Sequence, residues 1–287
     1  MLFIVRLFSF LGLLIILGSC ELFNKPEEIP AYISLTTPIL TTDLQTQGEN
    51  TNAITDAWIY INDEPIGVLE FPAEFPVLTS GITNIKIFPG IKENGFEAIR
   101  EIYPFYAAFQ TDTILVEDSI ISINPVFRYK SSAKFAWTED FEGLKSDFDS
   151  TQFSLASVRQ QNNIVKSGFQ SGVINLSPSN YFVEVFSGVK MDLPGQGADV
   201  FFEIDFNSDV DFEVYLVSNN NDGTILRDRI LYLAQSNGIW KKVYINLADF
   251  ISFNTNAESF QIGLRCNIED ATEEKTIYLD NLKVISE

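Results

Sequence analysis

The 287-residue chain contains no histidine, and it has only two cysteines and two methionines. The missing histidine excludes serine–histidine and cysteine–histidine catalysis, histidine zinc sites and haem ligation through histidine. Chemistry that uses carboxylates alone remains open, namely paired-carboxylate glycoside hydrolysis and oxygen-ligated calcium or magnesium sites.

Positive charge is also scarce, because 19 lysines and arginines stand against 39 aspartates and glutamates, for a formal net charge of −20. A surface this acidic repels phosphate backbones and anionic lipid head groups. We therefore expect no nucleic-acid partner.

The first twenty residues have the pattern of a signal peptide. Arg6 precedes an apolar run that ends in Leu17-Gly18-Ser19-Cys20. The run is too short for a transmembrane helix, which needs about 20 apolar residues. The tetrapeptide resembles the bacterial lipobox, and the resemblance implies that residues 1–19 are removed and that Cys20 carries diacylglycerol through a thioether. An ordinary secretory peptide with an incidental cysteine is the alternative.

The residues that follow Cys20 predict how the chain is anchored. Residues 20–30 form a polar tether, in which Lys25-Pro26-Glu27-Glu28 loosely resembles the acidic export signal of Bacteroidetes surface lipoproteins, although Pro26 interrupts that pattern. The expected location is the outer membrane, with the cell surface favoured over the periplasmic face. A lipidated Cys20 leaves Cys266 without an intramolecular disulfide partner, so we expect Cys266 as a small buried strand residue.

Alternating apolar and polar residues recur along the rest of the chain, bounded by Gly, Pro, Asn and Asp, and no stretch sustains a 3.6-residue period. This pattern predicts an all-β protein. The length after residue 19 is sufficient for two domains. We place two β-sandwich domains at residues 31–130 and 131–287.

The first predicted domain contains a strand at 57–61, the turn Asn62-Asp63-Glu64-Pro65, a returning strand at 66–71 and a further strand at 83–88. This order resembles the small modules of the PEGA and carboxypeptidase-regulatory type, with Asn62-Asp63 where glycine is usual. The resemblance implies a non-catalytic, immunoglobulin-like accessory fold.

The second predicted domain opens with EDFEG at 139–143, carries GIWKKVYINL at 238–247 and ends with IYLDNLKV at 277–284. These motifs resemble the galactose-binding-like jelly rolls, a pattern that many carbohydrate-binding modules share. The resemblance implies a jelly-roll fold and does not identify a ligand.

The same resemblance implies a structural calcium site. In that family an acid near the first strand and an acid on the last strand commonly share a calcium ion, which takes about six to eight hard oxygens. The matching residues are Glu142 and Asp280, with Asp140 as a third ligand. The alternative is that Asp280 and Asn281 form a turn and that the acids face solvent.

A second acidic motif, Glu203-Ile204-Asp205-Phe206, resembles the signature of laminarinase-type retaining β-glucanases. The period of two puts Glu203 and Asp205 on one face of a strand. The next acids, Asp209 and Asp211, lie in the following turn and do not supply the second carboxylate that a retaining enzyme needs at about 5 Å. We therefore expect no catalytic residue and no enzymatic activity.

Two further features bear on ligand binding. Trp58, Trp137 and Trp240 have apolar neighbours in or next to predicted strands, so we expect them in the core and not stacked on sugars. The polar loops 218–223 and 160–163 lie where jelly-roll ligand loops occur, but their composition also suits simple turns. They assign no ligand-binding residue.

Taken together, the sequence predicts a non-catalytic envelope lipoprotein that binds a glycan or acts as an adhesive module. A structural or assembly protein that binds other envelope proteins is the alternative. A carboxylate glycosidase is the third and least favoured hypothesis.

Overall fold

The computed structural model describes residues 27–269 and 271–287. Strands make up 54% of the chain and helix 2%, which confirms the all-β prediction. The predicted signal peptide, Cys20 and most of the tether lie outside the described residues, so cleavage and lipidation stay predictions. Over the described ranges, no helix has the length and apolarity to cross a bilayer.

The first sandwich consists of two layers. One layer has the order β4-β3-β6-β7, and β8 also pairs with β6. The other layer has the order β5-β1-β9, and β2 and β10 form a separate, parallel two-stranded sheet. The strands are β1 (Ala31–Leu35), β2 (Ile39–Thr41), β3 (Asp56–Ile61), β4 (Glu64–Glu70), β5 (Ala73–Val77), β6 (Gly81–Lys92), β7 (Arg100–Ile102), β8 (Phe109–Leu115), β9 (Ile120–Ile123) and β10 (Val126–Arg128).

The second sandwich packs a six-stranded sheet against a five-stranded sheet, which confirms the predicted jelly roll. The six-stranded sheet has the order β13-β14-β21-β16-β19, with β11 also paired to β21, and the five-stranded sheet has the order β12-β15-β20-β17-β18. The elements are β11 (Lys134–Glu139), β12 (Phe148–Ser150), β13 (Arg159–Gln161), β14 (Ser171–Leu176), β15 (Phe182–Ser187), β16 (Val200–Ser208), β17 (Phe212–Asn220), β18 (Ile225–Leu233), β19 (Lys241–Asn246), helix α1 (Ala248–Phe253), β20 (Ala257–Asn267) and β21 (Lys275–Ser286).

Each sandwich has its own buried apolar cluster. The first cluster is built mainly from residues between 31 and 129, and the second from residues between 137 and 284. Three side chains of the second sandwich, Phe201, Tyr244 and Ile285, belong to the first cluster, so the two sandwiches share a packed interface. The boundary predicted at residues 130 and 131 stays a prediction.

Strand β16 separates the two cores and is buried at all nine positions. A sheet strand with one face in water alternates buried and exposed residues, whereas a strand covered on both faces does not. Phe202, Ile204 and Phe206 face the core of the second sandwich. The intervening residues, including Phe201 and Glu203, face the first sandwich.

Glu203 is the centre of a polar cluster buried in this interface. Its Oε1 accepts hydrogen bonds from the hydroxyls of Tyr103 (2.8 Å) and Tyr129 (2.9 Å), which both belong to the first sandwich. Its Oε2 lies 3.0 Å from Nζ of Lys242 on β19. The carboxylate therefore connects one ionic partner in its own sandwich to two hydrogen-bond donors in the other.

Asp205 and Lys283 extend the cluster. Oδ2 of Asp205 accepts a hydrogen bond from Oγ1 of Thr51 at 2.5 Å and lies 3.5 Å from the Lys242 ammonium. Nζ of Lys283 donates to the carbonyl oxygen of Glu49 at 2.7 Å. The two acids and two lysines balance each other in charge. Side chains or backbone of the first sandwich contact all four, since Nζ of Lys242 also donates to Oγ1 of Thr51 at 3.4 Å.

Burial shifts the titration of these groups in different ways. Burial alone raises the pKa of Glu203, but Lys242, Lys283 and the Tyr103 hydroxyl outweigh it, so the pKa is lowered and Glu203 is ionised. Burial lowers the pKa of Lys283 to about 8 although Glu203 opposes the shift. An unfolded lysine has a pKa of about 10.4. Protonated Lys283 therefore costs stability, and this cost disappears as the pH rises from about 8 to about 10.

We expect Glu203→Gln to lower the free energy of unfolding by about 3 kcal/mol, because it leaves two buried lysines facing one buried acid. Denaturant titration measures this loss. The double variant Glu203→Gln, Lys242→Met removes one charge of each sign and should recover most of the stability.

Asp63→Asn is the matched control for that prediction, since it breaks the exposed ion pair between Lys86 and Asp63. It should cost less than about 1 kcal/mol. A loss from Glu203→Gln that is no larger than the loss from Asp63→Asn would contradict a structural role for the buried cluster.

Candidate functional site

The five-stranded sheet of the second sandwich has one face in the core and one face open to solvent. Along β15, β17 and β20 the inward residues are apolar: Val183, Val185, Phe212, Val214, Leu216, Ile262 and Leu264. The outward residues of these strands and of β18 are aromatic, charged or amide-bearing. We call this surface the open face; it comprises Phe182, Glu184, Phe186, Glu213, Tyr215, Arg227, Arg229, Gln261, Gly263 and Arg265.

Gly263 lies at the centre of the open face. It is the register partner of Phe186 on one neighbouring strand and of Tyr215 on the other. A Cβ atom at Gly263 would overlap the ring of Tyr215, so the glycine allows this ring to lie against the sheet. Phe186 and Tyr215 meet edge to face, with ring centroids 6.1 Å apart at 82°. The centre of the open face is therefore an aromatic floor.

The hydroxyl of Tyr215 is buried in this floor and has no partner at hydrogen-bonding geometry among the described residues. Burial raises the pKa of Tyr215, and the nearby Glu184 carboxylate raises it further. Tyr215 is therefore neutral, and it supplies a polar atom beneath the surface. Because Tyr215 is buried, the half-buried ring of Phe186 supplies the accessible apolar area of the floor.

Two arginines cover the aromatic rings at the edge of this floor. The guanidinium of Arg227 lies 5.4 Å from the ring centroid of Phe186, and that of Arg265 lies 6.0 Å from the ring centroid of Phe182. Such cation–π pairs hold a guanidinium flat over a ring and leave its N–H edges available.

The arginines differ in their ionic partners. Glu213 lies 3.1 Å from Nη1 of Arg229 and 3.5 Å from Nε of Arg265 and pairs with both. Arg227 has no ion-pair partner within the described part of the chain and is exposed. It is therefore the guanidinium on the open face that is free to bind a ligand.

A groove of about 550 Å³ adjoins the open face where β17 ends and β18 begins. Nδ2 of Asn219 donates to Oε1 of Gln261 at 3.2 Å, which makes the groove and the open face continuous. Oδ1 of Asn220 is buried and has no hydrogen-bond partner among the described residues. The lining residues are Lys190, Asp192, Asn219, Asn220, Asn221, Gly223, Thr224, Ile225, Glu258 and Ser259.

This combination of groups suits a polyhydroxylated ligand. Half-buried aromatic rings offer apolar area to the C–H face of a sugar ring, and amide and guanidinium groups hydrogen-bond hydroxyls and carboxylates. A surface that is continuous from the open face into the groove favours an extended ligand over a point charge.

The structure brings two of the predicted calcium ligands to a single loop, residues 166–170. Oδ2 of Asp280 accepts hydrogen bonds from the backbone amides of residues 166 and 167 at 3.0 and 3.3 Å. Oε1 of Glu142 accepts from the amides of residues 169 and 170 at 2.6 and 2.9 Å. Asp140 does not contact this loop by hydrogen bond; its Oδ1 accepts from the amide of Glu142 at 3.0 Å in a local turn.

These groups as they lie do not fit a calcium ion. Calcium takes about six to eight oxygens directed at one point, whereas the two carboxylates here face N–H donors. The carbonyl oxygens of Phe141 and Gly143 accept from Nε2 of Gln160. In residues 27–269 and 271–287, no three cysteine, aspartate or glutamate side chains are grouped to hold a metal. The calcium site stays a prediction.

Glu203 and Asp205, the pair in the glucanase-like motif, lie on one face of β16 as their spacing predicts. That face is covered by the first sandwich, and both side chains have no exposed area. Lys242 and hydroxyls of the first sandwich contact these two carboxylates, which are closed off from solvent.

The tryptophans do not all lie where the sequence places them. Trp137 is in the core and Cys266 is buried, both as predicted. Trp240 is half-buried and lines, with Tyr278, a groove of about 360 Å³, so the prediction of core placement is wrong for this residue. Trp240 directly precedes β19, which begins at Lys241. Val243 and Ile245 of this strand face the core, so the alternation of side chains directs Trp240 to the opposite face.

The two candidate loops also differ. Residues 219–221 and 223 line the groove. Gln160 instead donates to the carbonyl oxygens of Phe141 and Gly143, and Gln161 accepts from the amide of Asn163 in its own loop. The sequence reasoning missed the arginines of the open face. Arg227 and Arg229 are two residues apart on β18, so their side chains lie on the same face of the strand. Because the chain has few cations, this spacing is the sequence signal that indicates the face.

No protein-family model matches this chain, and no curated protein does. Solved structures are similar over about half of it. One is a xylan-binding domain of carbohydrate-binding module family 22 (14% identity, 55% of this chain, 97% of that chain, TM-score 0.41). Another is a family 22 xylan-binding domain from Paenibacillus barcinonensis (12%, 54%, 96%, 0.40). A third is a family 29 carbohydrate-binding module in complex with mannohexaose (12%, 53%, 92%, 0.35). At these values the neighbours identify no family for this chain.

We expect Glu142→Ala to release the loop at residues 166–170, because it removes the acceptor for two backbone amides. The amides of Phe169 and Gln170 should exchange with solvent about tenfold faster, as measured by hydrogen exchange. Glu117→Ala removes an exposed acid of the first sandwich and should leave both amides unchanged. Equal exchange in wild type and Glu142→Ala would contradict the hydrogen-bonding role.

The same measurement tests the calcium prediction. Protection of the loop that rises with added calcium, falls with chelator and is abolished by Asp280→Asn would establish a metal site there. Protection that is identical in calcium and in chelator would show that backbone amides alone hold the two carboxylates.

Proposed function

We propose that the protein is a lipid-anchored, non-catalytic envelope protein that binds a glycan on the open face of its second sandwich. The observation that carries the proposal is the aromatic floor at Gly263, with the exposed, unpaired guanidinium of Arg227 stacked on Phe186. A sugar ring stacks on such a floor while its hydroxyl or carboxyl groups meet the guanidinium edge.

The rest of the open face supports a glycan over a nucleic acid or an acidic peptide. Arg229 and Arg265 are already paired with Glu213, so the face has no block of free positive charge. The adjoining groove adds the amides of Asn219 and Asn220, which donate to and accept from hydroxyls. An elongated glycan would run from the aromatic floor into this groove.

A glycan array probed with the purified protein from residue 20 to residue 287 tests the proposal. We expect binding to one family of glycans. Phe186→Ala should weaken this binding about tenfold, because a stacked ring contributes on the order of 1 kcal/mol beyond simple burial. Arg227→Met keeps the aliphatic stem over the ring and should weaken it about fivefold through the lost hydrogen bonds.

Arg128→Met is the matched control, since Arg128 is an exposed arginine on β10 of the first sandwich. Its affinity should equal that of the wild type. No glycan bound by the wild type, or equal losses from Arg128→Met and Arg227→Met, would refute glycan binding on the open face.

The lipid anchor rests on Leu17-Gly18-Ser19-Cys20 and the apolar run before it. Attached acyl chains bind a bilayer because each buried methylene contributes about 0.8 kcal/mol, and two or three chains give stable anchoring. We place the protein on the outer membrane, with the cell exterior favoured for the two sandwiches.

Metabolic labelling with a fatty acid in the producing cell tests the anchor. We expect label on the wild type and none on Cys20→Ser, which should also remain uncleaved. Cys266→Ser is the control, because it removes the other cysteine and should keep the label. Equal labelling of wild type and Cys20→Ser would exclude lipidation at this residue.

A further inference from the structure

One end of the first sandwich exposes a group of large apolar side chains. Each of six side chains there is more than half exposed, although residues of this kind are normally buried or isolated. We call this group the apolar end; it comprises Ile29 (53% exposed), Leu78 (63%), Ile82 (82%), Ile114 (63%), Val116 (56%) and Ile120 (63%).

The strand register places these residues together. Ile82 and Ile114 are direct partners across β6 and β8. Leu78 follows Val77, which pairs with Ala31 at the start of β1. Two backbone hydrogen bonds hold the segment at residues 30–32 against the segment at residues 118–119. The amide of Asp118 donates to the carbonyl of Pro30, and the amide of Tyr32 donates to the carbonyl of Ser119.

The apolar end points away from the second sandwich. Strand β6 begins at Gly81 beside Ile82 and runs to Lys92. The residues directly after it contact the second sandwich, because the amide of Asn94 donates to the carbonyl of Tyr244 at 2.8 Å. The first sandwich therefore separates the apolar end from the open face by the length of β6.

The apolar end is also where the chain enters the first sandwich. Ile29 belongs to this group, and Pro30 follows it directly. Cys20 lies seven positions before Glu27, the first described residue. Seven residues reach at most about 25 Å when fully extended. An acylated Cys20 thus holds the apolar end within a short distance of the bilayer.

We propose that the apolar end rests on the bilayer surface, where its six side chains enter the interface beside the acyl chains on Cys20. This proposal rests on the lipidation of Cys20 and is independent of what the open face binds. The four acids around the apolar end, Glu27, Glu28, Glu117 and Asp118, favour zwitterionic lipid, since anionic head groups repel them.

Fluorescence quenching tests the proposal on the lipidated full-length protein in vesicles of phosphatidylcholine and phosphatidylethanolamine that contain a nitroxide-labelled lipid. The probe is attached at Ile82→Cys, and in a second sample at Phe253→Cys on α1. The two positions are matched in exposure, at 82% and 84%. The native Cys266 is buried and does not compete for the label.

We expect quenching at position 82 to exceed quenching at position 253 several-fold. Adding Leu78→Asp and Ile114→Asp to the Ile82→Cys protein should reduce quenching to the level at position 253. Both sites are 63% exposed, so these changes should leave the unfolding temperature nearly unchanged. Replacing phosphatidylethanolamine with phosphatidylglycerol should also reduce quenching at position 82.

Sedimentation of the same vesicles distinguishes the two ways in which the proposal fails. Protein that sediments with the vesicles but shows equal quenching at positions 82 and 253 would refute the contact while leaving the anchor intact. Wild-type protein that does not sediment with the vesicles would refute lipidation, and the contact with it.

Discussion

The buried hydrogen bonds from Tyr103 and Tyr129 to Glu203 determine how the two sandwiches are joined. Glu203 has no exposed area, and its carboxylate needs both the ammonium of Lys242 and the hydroxyls of Tyr103 and Tyr129. A buried pair of this kind adds little net stability compared with apolar packing, but it strongly disfavours arrangements that leave a charge unpaired. A shifted interface would separate Glu203, Asp205 and Lys283 from their hydrogen-bond partners in the first sandwich and leave these charged groups buried with too few partners. One relative orientation of the sandwiches is therefore much more stable than the others, and the open face has a fixed direction relative to the first sandwich.

The same interface also determines which outer face of the second sandwich stays in solvent. A sandwich has two outer faces, and the first sandwich covers the one formed by β16, β19 and β21 through Phe201, Tyr244 and Ile285. The face of β15, β20, β17 and β18 is left in solvent. Its centre could be built only with a glycine at position 263, because Tyr215 occupies the space of any side chain there. The open face therefore depends on two features: the first sandwich covers the six-stranded sheet, and Gly263 has no side chain on the five-stranded sheet.

Sequence periodicity predicted the all-β class and the shared face of Glu203 and Asp205, since each depends on residues close together in the chain. The two sandwiches were expected from chain length and from the resemblance of motifs to known families. Periodicity did not predict that the face of Glu203 and Asp205 is buried. The partners of Glu203 lie 39, 74 and 100 residues away, at Lys242, Tyr129 and Tyr103, and a charged strand face has the same pattern whether it meets water or a balanced set of charges. The open face was missed for a related reason. Its arginines and aromatic rings lie on four strands, and only the sheet order brings them together.

The length of β6 has a consequence for the proposed binding of a glycan. This strand has twelve residues and spans about 40 Å at the usual rise per residue. It connects the apolar end to the contact with Tyr244, so it acts as a rigid spacer inside the first sandwich. With the apolar end held at a surface, the second sandwich would stay at one height and move only sideways. The search would then be two-dimensional, confined to a thin layer parallel to the membrane, and glycan chains shorter than the spacer would not reach the open face.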